Sequence, residues 1–508
     1  MRKPSLNEQS ALNVIGSIVV VAINVTINLV LSPYIVKHLG VEANGYITLA
    51  NNFVSYLTMV SIALNSMVGR FILIDNRRGY QQSANEYYSS VLIGDWIMAM
   101  VFFMPMLLFV VFIDRLIKVP DQLIWDIRIL FGIVFFNYII QLCVPQWQTA
   151  TYCTNNLYLR SLKNAVSNII RAVSVYLLFR LFTPHSYYVA VSATFMTIVS
   201  LSIDYTFYKK LMPELKWSIS WFRWKKVKEL VSSGIWNTIS QCGNLLLEGF
   251  DILIANIFIN PVAAGVLALS KMIPNMINQI TGTVSTTYGP RLTYLYADGK
   301  INQMENEIKN NIVLLSVLSN IPIGTFFVFG IPFFKLWVPS QDAFQLTVLS
   351  SLSLLGLLFA GLAQCYVNIF GVVNKLKLNS LMIVGSGLIN LTCVFLLLKY
   401  SSLGIYSVVI TSSVITIIRV MTFVIPYSAR LIDTSSWKLT IYLLRGAINV
   451  VIPIGIGLIF RCLIEIDGWG GLVTAIGGTA IISALIYMIV VLNRNQRETV
   501  LRIFHVIQ

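Results

Sequence analysis

The sequence predicts an all-α polytopic membrane protein of about fourteen transmembrane helices, arranged as two pseudo-symmetric six-helix lobes plus two C-terminal helices. Three observations predict it. Of 508 residues, 56% are hydrophobic and only 11% are charged, against roughly 25% charged in a soluble domain. The apolar residues come in long runs of the kind that cross a bilayer as helices, whereas a membrane barrel would show short alternating segments. Lys and Arg are also unequally distributed among the breaks between those runs. A mean hydropathy of +0.76 with a net charge of +15 excludes a soluble globular enzyme, a disordered chain and a secreted disulfide scaffold.

In chain order the apolar stretches lie at about 11–36, 45–68, 88–113, 123–148, 161–182, 186–208, 231–258, 262–289, 309–332, 343–368, 376–398, 402–428, 440–463 and 468–492. Each is long enough to cross with some tilt. The first follows a polar Met1–Ser10 without a small-residue cleavage site, so it reads as an uncleaved span, not a signal peptide. The loops are too short to house a soluble domain, so function resides in the helices.

Orientation follows from the basic residues. With the N-terminus inside, the inner loops and tails hold 24 Lys and Arg and the outer loops 7, with Arg128, Arg171, Lys271, Arg419 and Arg445 left within spans. That bias predicts an even number of spans and two cytoplasmic termini. The 24 inner bases meet 11 acids, the 7 outer bases meet 7, and the five in the spans meet three. Most of the net charge therefore concerns topology and lipid headgroups.

The longest inner connection, 209–230, contains LKWSISWFRWKKVKEL, in which Trp217, Trp221, Phe222 and Trp224 alternate with Arg223, Lys225, Lys226 and Lys228. This composition predicts a helix lying in the membrane interface on anionic lipid. It divides the chain into an N-lobe (1–208), a C-lobe (231–430) and a final pair of spans with a cytoplasmic tail (431–508). The lobes are self-similar. Gly45 and Gly265 lie 220 residues apart, as do Gly69 and Gly289, each pair set in a hairpin that exits on a base, Arg70 or Arg291. Six spans is an even number, so both lobes enter the membrane in the same sense.

Ionisable groups inside the bilayer are costly and usually face protein or water. Span seven carries Glu248 and Asp251, three residues apart and so expected on one helix face. Span eight carries Lys271 at similar depth, with Pro274 expected to loosen the helix after it. Arg171 lies mid-span in span five, Arg419 in the inner part of span twelve, and Asp95 in the inner third of span three. Under the offset of 220, Asn28 takes the place of Glu248 and Asn51 that of Lys271, which makes both amides candidates for a polar cavity. Each carboxylate, base or amide also has a purely structural reading as a buried network or an interhelical hydrogen bond.

Six scattered cysteines, three histidines and the lack of a CxxC motif indicate no metal site, disulfide framework or cofactor. No GxxxxGK[ST] loop indicates ATP hydrolysis, and no nucleic-acid partner is indicated. His38 and His185 are the histidines at outer loops, where no acid–base pair is visible for a membrane acyltransferase or glycan polymerase.

The opening YIVKHLGVEANGYITL, with SIALNSMVGRFI closing span two, resembles the N-terminal signature of Wzx-type polysaccharide flippases, and LLLEGFDILIANIFINPVAAGVLALS resembles the matching second-lobe stretch. In that family LGxxxYG marks the outer turn of the first hairpin; here Asn44 stands where Tyr is commoner. The hairpin wording is shared across the wider multidrug/oligosaccharidyl-lipid/polysaccharide (MOP) superfamily. The resemblance implies alternating access between two lobes in a bacterial cytoplasmic membrane. Its cargo would be an undecaprenyl-pyrophosphate-linked oligosaccharide, such as an O-antigen unit, with a polysaccharide polymerase and a chain-length protein as partners. Arg171, Lys271 and Arg419 would then hold the anionic group, since intramembrane cations attract phosphate. Glu248, Asp251 and Asp95 would serve as counter-ions or bind a coupling H+ or Na+. The competing expectation is a cation-coupled multidrug exporter of the related fold.

Overall fold

The computed structural model describes residues 6–154, 156–286, 288–373, 375–492 and 497. Arg2, Lys3, Arg494 and Arg502 of the expected cytoplasmic ends lie outside the described residues. The described residues are almost wholly helical, with no strand among them. The chain divides into two compact units, Met1–Ala268 and Leu269–Gln508.

The first unit opens with α1 (Leu6–Asn65), which the sequence reads as two spans. Only Gly40 departs from helical geometry, at φ 85° and ψ 168°, a region open in practice to glycine alone. The hairpin turn is therefore at Gly40, five residues before Gly45. Next come α2 (Val68–Arg77) and α3 (Gln81–Val111), separated by Gly79 at φ 78°. They are followed by α4 (Ile113–Leu116), α5 (Ile124–Cys143), α6 (Thr149–Cys153), α7 (Leu157–Leu181), α8 (Tyr187–Leu211) and α9 (Trp224–Asn244). Span seven continues past α9 as a π turn (Leu245–Gly249), α10 (Asp251–Ile254) and a second π turn (Ala255–Ile259), with a bend of 41° at the break. Asn260 is extended, and its side-chain oxygen accepts from the Ala263 N–H at 2.7 Å, an N-cap for α11 (Pro261–Ser270). The unit boundary falls inside α11.

The second unit continues with α12 (Met272–Thr286), α13 (Gly289–Ala297), α14 (Ile301–Trp337), α15 (Ala343–Val372), α16 (Leu376–Tyr400) and α17 (Ile405–Arg419). After a π turn (Val420–Val424) it closes with α18 (Ile425–Leu431), α19 (Ser436–Ile448), α20 (Val451–Leu463) and α21 (Trp469–Ile486). The central pair is α14 and α15. Their apolar windows are 61% and 56% buried, against 22% for that of α21, whose remaining apolar surface suits lipid.

The internal repeat extends well beyond the two glycine pairs. Helix starts recur at Gln81 and Ile301 (220 apart), Ile124 and Ala343 (219), Leu157 and Leu376 (219), and Tyr187 and Ile405 (218). The turns obey the same register. Gly79 and Gly299 both have positive φ, 78° and 69°, and the non-helical Gly40 matches the extended Asn260.

Ten helices among the described residues are long and apolar enough to cross a membrane, or eleven if the bent span seven is one crossing. The expected fourteen differs at three places, each with a physical reason. α1 holds two expected spans in one helix broken at Gly40. α7 carries Arg160, Lys163, Arg171 and Arg180, which depress its hydropathy. Span eight is cut at Lys271 into α11 and α12, pieces of 10 and 15 residues.

The basic connection corrects the expectation of an interfacial helix over 209–230. α8 ends at Leu211 and α9 begins at Trp224; between them lies only one 3-10 turn, Ile219–Trp221. This segment is pinned to the first half of α3 through its backbone. Lys216 N–H donates to Asn85 Oδ1 (3.0 Å), Ser218 N–H to Ser89 Oγ (3.1 Å) and Arg223 N–H to Ser90 Oγ (3.0 Å). These three side chains satisfy donors that a helix would have satisfied itself. Trp217, Ile219 and Trp224 remain exposed.

Candidate functional site

Within the first unit, α7 lies along α1 and the facing residues are polar. Asn168 donates to Asn24 Oδ1 at 2.8 Å, and one turn further Arg171 Nη2 donates to Asn28 Oδ1 at 3.3 Å. The spacing explains the ladder: Asn24 and Asn28 are four apart on α1, and Asn168 and Arg171 three apart on α7, so each pair shares a face. Arg171 Nε is buried without a hydrogen-bond partner, and among the described residues no carboxylate pairs with its guanidinium. A charged group inside a bilayer is thus held by one long bond to a neutral amide. Of the two candidate amides, Asn28 joins Arg171. Asn51 does not: it is exposed, and its amide donates back to Ile47 O at 2.9 Å in its own helix.

Asp95 is fully buried, at 0% exposure. Asn65 at the end of α1 donates to Oδ1 (2.8 Å), and Gln146 of the α5–α6 loop donates to Oδ2 (3.2 Å) and reaches Asn65 Oδ1 (3.3 Å). The carboxylate sits in a cage of amides and, among the described residues, has no cationic partner. Nothing in the local wording, with Gln146 between Pro145 and Trp147, marks Gln146 as part of that cage.

A second buried carboxylate was hidden by the bookkeeping of span ends. Lys163 on α7 and Asp204 on α8, counted by the sequence with the inner loops, form an ion pair of 2.7 Å with side chains 6% and 7% exposed. Asp204 Oδ1 has no hydrogen-bond partner. The discoverable signal was two opposite charges placed alike, one near the start and one near the end of consecutive antiparallel helices.

Glu248 and Asp251 do not share one environment, which corrects the expectation of a common helical face. Asp251 is buried to 1%, whereas Glu248 is exposed. The π turn at Leu245–Gly249 changes the angle per residue between them, so a spacing of three no longer means one face. Asp251 lies beside Tyr56 of α1, whose hydroxyl donates to Gly249 O at 2.7 Å.

In the second unit Lys271 is half-buried at the break between α11 and α12. Pro274 lies in the first turn of α12, where its missing N–H costs little, and Ser350 Oγ donates to the Ser270 carbonyl at the break (2.7 Å). Arg419 ends α17, half-buried, just before the π turn Val420–Val424.

Arg128, left within a span by the charge count, pairs with Asp114 at 2.9 Å, and its guanidinium holds that carboxyl below the usual carboxylate range. One outer-loop expectation changes. An acid–histidine pair does exist, Asp126 Oδ1 lying 3.1 Å from His185 Nδ1. Asp126 also accepts from the N–H and hydroxyl of Ser186 just ahead of α8, which is a capping role.

Residues 10–295, more than half of the chain, match the family described as polysaccharide biosynthesis protein. The chain is 26% identical over 489 residues to "Uncharacterized membrane protein EpsK" of Bacillus subtilis (strain 168), with 95% of each chain covered. Among solved structures it is similar to the lipid II flippase MurJ in an inward closed conformation, with a TM-score of 0.67, 14% identity, and 94% of this chain and 97% of that one covered. It is also similar to an inward-facing multidrug resistance MATE family transporter of the MOP superfamily, with a TM-score of 0.64, 12% identity, and coverage of 83% and 99%. The helical bundle agrees with these likenesses in fold, and the family match covers more than half of the sequence: the chain belongs to the polysaccharide biosynthesis protein family.

Proposed function

We propose that the protein carries an undecaprenyl-pyrophosphate-linked oligosaccharide from the inner to the outer leaflet of the bacterial cytoplasmic membrane by alternating access, with both termini cytoplasmic. The observation that carries this reading is Arg171. A guanidinium within the membrane with one bond of 3.3 Å to an amide and a buried, unpartnered Nε is electrostatically incomplete. An unmet buried donor costs about 1–3 kcal/mol, and a pyrophosphate supplies several acceptors in the geometry a guanidinium prefers. Lys271 and Arg419 offer further cations for phosphate or acidic sugar. Glu248, Asp251 and Asp95 are the groups that H+ or Na+ coupling would use. Translocation makes and breaks no covalent bond, so no catalytic residue is assigned. A polysaccharide polymerase and a chain-length protein are the expected partners on the outer side. The likeness of the chain to a lipid II flippase over 94% of its length supports a lipid-linked cargo.

The test is Arg171→Ala and Arg171→Lys in cells with protein level monitored. A charge-assisted bond to phosphate is worth about 1.5–3 kcal/mol, so Ala should slow surface polysaccharide export roughly tenfold or more, and Lys should restore part of it. Normal surface polysaccharide in both variants sinks the assignment. The buried Asp95, without a cationic partner among the described residues, favours one other reading, a cation-coupled multidrug exporter. A deletion strain with an altered drug profile and intact surface glycan would decide for that class.

A further inference from the structure

Within the second unit, at the C-terminal ends of α14 and α20, these helices and the loop after α20 enclose an open cleft of about 430 Å³. Its floor is apolar, with Ile331, Pro332 and Ile466, and its rim carries Lys335, Arg461 and Glu465. Lys335 and Arg461 each stand in the last turn of a helix, where the helix dipole alone would favour a base. Two features go beyond that. First, Arg461 is fixed. Pro332 has no N–H, so the Val328 carbonyl four residues earlier lacks its helical partner, and Arg461 Nη1 donates to it at 3.2 Å. One arm of the guanidinium is anchored, and Arg461 still lines the cleft. Second, the cleft adjoins aromatic rings. Phe333 stacks on Trp337 (5.4 Å between centroids) and meets Trp469 edge-on (6.3 Å), the residue types that mark headgroup depth. Beside it on α20 and α21, Ile459, Leu463 and Val473 are exposed at 59%, 75% and 62%, a surface for acyl chains.

We propose that this cleft binds the headgroup of an anionic phospholipid, with phosphate between Lys335 and Arg461 and an acyl chain along the apolar floor. The partial negative charge of two helix C-termini and the carboxylate of Glu465 disfavour a bare anion, so the apolar floor is what makes a lipid the ligand. The topology proposed above makes this the outer leaflet; the site itself does not depend on transport.

The experiment is native mass spectrometry of the full-length protein, delipidated in detergent and then given phosphatidylglycerol or phosphatidylcholine. Wild type should retain phosphatidylglycerol in preference. Lys335→Gln should lower that retention roughly two- to fivefold, the size of an exposed charge contact, and Glu465→Gln should raise it. Arg461 is left intact because it also serves Val328. Equal retention of the two lipids by wild type, or of phosphatidylglycerol by wild type and Lys335→Gln, overturns the site. Because lipid retention is read without transport, that failure would leave the flippase reading standing.

Discussion

At the scale of single residues, three arrangements of buried charge occur side by side in the first unit. Asp95 is caged by amides, Lys163 and Asp204 neutralise each other, and Arg171 is left with a weak neutral partner. Only the last has unused capacity for an anion, which is why the cargo is assigned there. The ion pair is the best place to measure the cost of such burial. Removing one partner of a buried pair typically costs about 3–5 kcal/mol because a charge is left alone, while replacing both with apolar groups of similar volume is often neutral. Lys163→Met and Asp204→Leu should each lower the thermal unfolding temperature of the detergent-purified protein, and the double variant should recover most of the loss. If the single variants unfold at the wild-type temperature, the pair is not a structural tie. Sequence reasoning could find Arg171 because no boundary error moves a mid-span base out of the bilayer. It lost Lys163 because an uncertainty of a few residues at a span end decides between loop and core.

At the scale of elements, the most telling residues are glycines, and they answer two different needs. Gly40 is required by its backbone angle. Gly45 and Gly265 are helical and are required by contact: a β-carbon on Gly45 would lie 2.8 Å from the Gly265 nitrogen, and one on Gly265 would run into the Val41 carbonyl. Gly234, at the start of span seven, marks a second close approach to the first hairpin, since a β-carbon there would run into the Ala63 carbonyl. The two repeat-related glycines thus pack on each other, which the matched wording of the hairpins does not disclose. A glycine letter announces that backbone is constrained, and only the structure says whether by φ or by a neighbour. Gly265→Ala should destabilise the protein by roughly 1–3 kcal/mol or more, because the obstacle is backbone and cannot rotate away. Gly282→Ala, with nothing within 4 Å in α12, should be neutral or slightly stabilising. Equal unfolding temperatures for the two variants would refute the contact. The basic connection carries a lesson of the same kind. Its aromatic and basic composition was legible, but its conformation is set by Asn85, Ser89 and Ser90 more than a hundred residues earlier. Asn85→Ala together with Ser90→Ala should therefore speed tryptic cleavage within 209–230, and an unchanged cleavage rate would show that the docking does not hold the segment.

At the scale of the whole molecule, the open question is how many times the chain crosses. The charge bias required an even number of spans, and the repeat of helix starts at offsets of 218 to 220 supplies an independent reason for lobes of equal size. Among the described residues, length and apolarity alone admit ten or eleven membrane-crossing helices. The disagreement rests partly on span eight, whose two pieces of 10 and 15 residues meet at Lys271. Fourteen spans place seven crossings between Lys216 in the connection and Cys462 at the end of α20, so the two positions lie on opposite sides. If the broken span eight entered and returned on one side, six crossings would remain and the positions would share a side. Cys462 is exposed and free, as is Cys143, and Lys216 is exposed. In a Cys143→Ser background, a membrane-impermeant maleimide should label Cys462 in intact cells. In a Cys143→Ser, Cys462→Ser background, Lys216→Cys should be labelled only after permeabilisation. Labelling of both positions from one side would remove a crossing from the second lobe. Lys271 would then sit at the tip of a re-entrant segment and not along a crossing helix, and the expectation that both lobes enter the membrane in the same sense would fail with it.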